Sequence, residues 1–185
     1  MYSRSSKLES TVGKSVEDTY KEMNIHLRYK TFGKRFLASI IDGIFLTIIA
    51  VILQLFMSDS VQDVVFTFMP FIYSIYMHGN SGQTIGKQYM DIEVVTFNDE
   101  KSIGYLRAFK RDLVPLLALV IMYVLTSYLP VDEADINPES WLYISISILG
   151  ASHAIWYILE FFTMLFNKKR RAIHDFIAGT VVVRT

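Results

Sequence analysis

Single ionisable residues sit inside long apolar runs of this chain, and any chemistry would centre on them. Asp42 lies in RFLASIIDGIF, seven positions after Arg35. At a helical rise of about 1.5 Å per residue, its Cα is roughly 10 Å further along the axis than that of the arginine. In a bilayer, a carboxylate at that depth must be paired, protonated or turned to a polar cavity. Glu160 lies about six residues before the end of the apolar run Trp141–Phe166, a depth that matches Asp42 if both are measured from the same membrane face. Two such carboxylates on touching helices could share a proton or a monovalent cation. His153 is seven positions before Glu160 and Asn167 seven after, so all three lie on one helical stripe. His174-Asp175 follows the basic run Lys168 to Arg171. It offers a proton entry or gate, with Asp175 pairing Arg35 or Arg111.

Each of these residues also has a structural reading. Arg35 and Asp42 could clamp helices together. Glu160 could face headgroups or a neighbouring hydroxyl, and His153 could hydrogen-bond across helices. His174-Asp175 could cap and dock the terminal segment. Catalysis is not expected: adjacent residues on a helix do not face each other, no nucleophile pattern accompanies the pair, and no metal-ligand motif stands out. The chain has no Cys, which removes thiolate chemistry and disulfides. GQTIGK is not a phosphate loop, because three residues separate Gly82 from Gly86 and Gln88 follows Lys87. No cofactor, metal or nucleic-acid partner is expected.

The elements that must position these residues are membrane spans. Four apolar segments fit a bilayer: about 36–57, 61–78, 113–129 and 141–166. A hydrophobic content of 52% over 185 residues agrees, as does a positive mean hydropathy. All 18 Lys and Arg residues fall in the N-terminal tail, the middle loop or the C-terminal tail. Basic segments stay on the cytoplasmic side, so four helices with both termini and the middle loop inside violate no charge rule. No secretory signal is visible, and the first span is expected to act as an uncleaved anchor. The fold expected is an all-α four-helix transmembrane bundle, with a polar tail over 1–31 and the membrane domain over 32–185. Pro70, in the middle of the second span, is expected to kink it.

The middle loop carries structure of its own. Gly79-Asn80-Ser81-Gly82 reads as a turn, Met90 to Val95 as a short strand, and Asn98-Asp99 as a second turn. Ser102 reads as the N-cap of a helix through Phe109, with Arg107 and Arg111 on one face. Gly179 to Val183 reads as another strand. A lone strand leaves its backbone groups unpaired, so about 92–95 should pair with 180–183 at the cytoplasmic surface. A surface helix over Ser15 to His26 is also expected.

Three segments in order, RFLASIIDGIF, SGQTIGKQYMDIEVV and RRAIHDFIAGTVVV, resemble the RDD family of small bacterial membrane proteins. The likeness runs from about Phe32 to Val183. By position it assigns the family arginine to Arg35 and the two aspartates to Asp42 and Asp175, with His174 beside the second. It implies a multi-pass protein of the bacterial cytoplasmic membrane. The leading functional reading is exchange of protons and monovalent cations through Asp42 and Glu160, with His153 nearby. Four helices make a thin wall for a pathway, so a transporting form would be a homo-oligomer in the lipid bilayer. The alternative is a non-transporting adaptor whose cytoplasmic face binds a protein partner.

Overall fold

The computed structural model describes residues 19–21, 23–24, 26–129 and 140–185. In chain order the elements are α1 (Phe32–Gln54), α2 (Asp59–Ser81), α3 (Ile85–Tyr89), β1 (Ile92–Thr96), α4 (Gly104–Thr126), α5 (Trp141–Phe166), α6 (Ile173–Ala178) and β2 (Thr180–Arg184). The expected helix over Ser15 to His26 and the connection Val131 to Ser140 lie largely outside the described residues.

Two helical stretches are long and apolar enough to cross a membrane by composition alone, Thr19–Gln54 and Trp141–Phe166. Their large side chains are mostly uncovered, including Ile44, Ile48, Ile148 and Ile158. Apolar area on that scale needs a partner or lipid, which points to membrane association. Helices α2 and α4 have 23 residues each, about the length of a span. They pack along each other, and α4 also touches α5 and α6. Pro70 lies inside α2 as expected, and α4 carries a second proline, Pro115, which is buried.

The two strands pair antiparallel, with Ile92 opposite Arg184, Val94 opposite Val182 and Thr96 opposite Thr180. Both faces of this ribbon are covered. Ile92, Val94 and Val182 join Ala38 of α1 and Ile103 and Ala108 near the start of α4. Val95, Val181 and Val183 pack with Tyr29 and Phe97. The outer edge of β1 is closed by Val94 N donating to Gly82 O (2.9 Å) and by Gln83 Nε2 donating to Ile92 O (3.0 Å). The most buried apolar core therefore lies at one end of the helices, around the ribbon.

Two local expectations are corrected. Gly79 to Ser81 is not a turn: α2 runs on through Ser81 and stops at Gly82, whose φ of 70° is left-handed. Ser102 does not cap a helix. It forms a bridge to Val95 instead, and α4 begins at Gly104 and runs unbroken to Thr126. Arg107 and Arg111 lie four apart on α4 as expected, but only Arg111 is buried. Ala108, Arg111 and Pro115 form the inward stripe, and Arg107 is exposed.

Candidate functional site

The ionisable residues gather where the start of α1, the end of α2, the start of α4 and the end of α5 meet α3, α6 and the ribbon. They form two adjoining networks.

The first network is centred on Asp175, which is fully buried. Arg35, in the first turn of α1, places Nη1 2.8 Å from Asp175 Oδ2, and Arg111 of α4 places Nη1 3.0 Å from Oδ1. Ala172 N (3.0 Å) and Thr180 Oγ1 (3.1 Å) also donate to this carboxylate. It thus caps α6 and holds the first residue of β2 while balancing two guanidinium groups. Burial alone pushes the carboxyl up, but Arg35 and Arg111 outweigh it and hold Asp175 well below the ordinary carboxylate range.

His174 extends this network to α5. Its backbone N donates to Glu160 Oε1 (2.9 Å), and its Nδ1 contacts Glu160 Oε2. On the other side of the ring, Nε2 lies 2.9 Å from Arg111 Nη2 and 3.3 Å from Arg35 Nη2. Guanidinium groups can only donate, so Nε2 accepts and the neutral ring carries its hydrogen on Nδ1. Two cations and two anions thus balance around a neutral imidazole. Arg171 braces the assembly, donating to Thr180 O and Asp175 O from between the rings of Phe97 and Phe176.

The second network is centred on Asp42. Oδ1 accepts from Tyr73 Oη (2.7 Å) and Gly86 N (2.7 Å), and Oδ2 accepts from Thr84 Oγ1 (2.6 Å). Tyr73 Oη in turn accepts from Ile85 N at 2.9 Å. One carboxylate on α1 thereby fastens α2 and the first turn of α3. Gly86 permits this approach, because a Cβ there would overlap the Ala38 carbonyl oxygen. Beside the network, Lys87 Nζ lies 2.7 Å from His78 Nε2.

These geometries settle where each expected site residue sits. Arg35 and Asp175 pair, as the sequence suggested they could, but Asp42 and Arg35 do not. Asp42 accepts from Tyr73, Thr84 and Gly86, and Glu160 accepts from His174. No hydrogen bond joins them, and each has its own protein donors. Helical depth placed them at the same level but could not set the rotation of each helix about its axis. His153 stands apart from both networks, with its ring edge-to-face against Tyr157 at 5.1 Å between centroids. Tyr73, His78, Thr84 and Lys87 were not anticipated as site residues. The signal was available in GQTIGK, where two glycines and a lysine follow a span. One further carboxylate oxygen, Asp112 Oδ2, is enclosed with no hydrogen-bond partner among the described residues.

With the geometry established, comparison with known proteins adds one finding. A family model described as RDD family matches residues 29–179, which covers both networks except Thr180. No curated protein and no solved structure matches the chain.

Proposed function

The chain belongs to the RDD family, and from that premise we propose that it is a four-span protein of the bacterial cytoplasmic membrane acting as a non-transporting adaptor. In this reading the networks fasten the inner ends of the helices, and the cytoplasmic layer they hold rigid meets a protein partner. The observation that carries it is that Asp42, Asp175 and Glu160 are already occupied by protein donors. A travelling ion would have to displace those donors. The cavity of about 480 Å³ between α1 and α2 is mostly apolar, lined by residues such as Leu46, Ile49, Phe68 and Ile72, with Tyr73 and Tyr76 the polar-tipped members of its wall.

The same layer supports the proposed topology. The start of α1, the end of α2, the start of α4 and the end of α5 all contribute to it, as four helices of alternating direction require. Together with the basic residues of tails and loop, this supports both termini inside. Cysteines introduced at Ser58 and Glu133 should label only from the outer side in sealed cells. Labelling of either from the cytoplasm would overturn the topology.

Exchange of protons and monovalent cations remains as a second reading because of Asp112. An enclosed carboxylate oxygen without a donor is costly, and a bound proton or cation would relieve it. Proteoliposomes separate the two readings. The adaptor reading expects no proton, sodium or potassium flux above that of protein-free vesicles. Flux in the wild type that Asp112→Asn or Asp42→Asn abolishes, with insertion retained, would replace it with the exchanger.

A further inference from the structure

Two basic nitrogens face each other beside the Asp42 network. His78 is 5% exposed, and its Nδ1 lies 2.8 Å from the carbonyl oxygen of Ser74, one helical turn back. A carbonyl oxygen only accepts, so at this shorter contact Nδ1 carries the hydrogen, and the Ser74 hydroxyl, 3.1 Å from the same nitrogen, serves as a second acceptor. In a neutral ring Nε2 is then an acceptor, and it faces Lys87 Nζ at 2.7 Å. An imidazolium at that distance from an ammonium would set donor against donor. Only one proton charge fits between them.

We propose that Lys87 and His78 form a proton-binding site, in which the lysine amine carries one exchangeable proton and the neutral imidazole receives its hydrogen bond. Charged groups surround the site from every side. Arg35 and Asp42 face it from α1, Arg111 from α4, and His174 and Asp175 from α6. Tyr73, one turn before His78 on α2, bonds to Asp42 rather than to the pair. Burial comes first, then repulsion from Arg111 and Arg35, in drawing the lysine down to about 7, while Asp42 and Asp175 oppose the change.

Proton occupancy therefore changes the charge of the layer by one unit. Lys87 joins Arg35, Arg111 and Arg171 as a cation facing Asp42, Asp175 and Glu160. Without that proton, the layer holds one positive charge fewer beside Asp42. Lys87 is also part of α3, where its backbone N donates to Thr84 Oγ1 (3.3 Å) next to the Asp42 contact. The proton thus changes the charge on the element that Asp42 fastens. None of this depends on whether the chain carries ions or binds a partner.

The test is 15N NMR of the full-length wild-type protein in lipid nanodiscs, with lysine and histidine labelled. One lysine Nζ resonance should titrate with a midpoint about pH 7 rather than near 10.5. It should vanish in Lys87→Arg, or shift in His78→Gln if the arginine variant does not assemble. The His78 ring should keep the neutral Nδ1–H pattern throughout that titration. A lysine set that all titrates near the ordinary value would overturn the proposal, as would an imidazolium at His78 while Lys87 stays charged.

Discussion

Asp175→Ala is expected to cost about 3–5 kcal/mol of folding stability, the usual result of removing one partner from a buried ion network. Asp175 is fully buried, Arg111 is 4% exposed and Arg35 is 9% exposed. Alanine would leave both guanidinium groups enclosed and unpaired, and would also remove the acceptor for Ala172 N and Thr180 Oγ1. Arg35→Ala should cost less, because Asp175 keeps Arg111 at 3.0 Å. Unfolding in detergent or nanodiscs measures both. A loss below about 1 kcal/mol for Asp175→Ala would mean that the arginines are hydrated, and the clamp would lose its meaning.

The same residue sets a pH dependence. The folded-state value of Asp175 lies below the unfolded one, so the stability it confers is complete above the ordinary carboxylate value. That stability falls away as the pH drops below about 4. Asp175→Asn should flatten this acid limb.

Gly86→Ala should be strongly destabilising. Its added methyl would overlap the Ala38 carbonyl oxygen. Both partners are backbone, so no side chain can swing aside. Ala38 is 1% exposed and packed in the core. Overpacking costs about 1–3 kcal/mol, and pulling Gly86 N away from Asp42 forfeits a charge-assisted bond worth about 1.5–3 kcal/mol. The control is Gly43→Ala on α1, where nothing lies within 4 Å of the added Cβ. That change should be neutral or stabilising by about 0.5–1 kcal/mol through helix propensity. Equal effects at the two glycines would sink the claim that α3 docks on α1 through Gly86.

The contrast between Arg35 and Asp42 marks what sequence and tertiary structure each decide. Apolar runs long enough to span, β-branched strands and the turn at Asn98-Asp99 are local properties, written in residue type and period. The pairing of β1 with β2 was also legible, because each lone strand needed a partner and only one other was available. The presence of costly ionisable groups at Asp42 and Glu160 was equally plain. Their partners were not. Seven residues along a helix separate Arg35 from Asp42 by roughly 10 Å, and helical side chains tilt toward the N-terminus. Arg35 therefore reaches away from Asp42, back to Asp175, 140 positions distant in the chain. Asp42 finds its donors 31 to 44 positions on, at Tyr73, Thr84 and Gly86. Depth along a helix is one coordinate that sequence supplies. Rotation about the axis and the identity of the neighbouring helix come only from packing, and those two decide which charges meet.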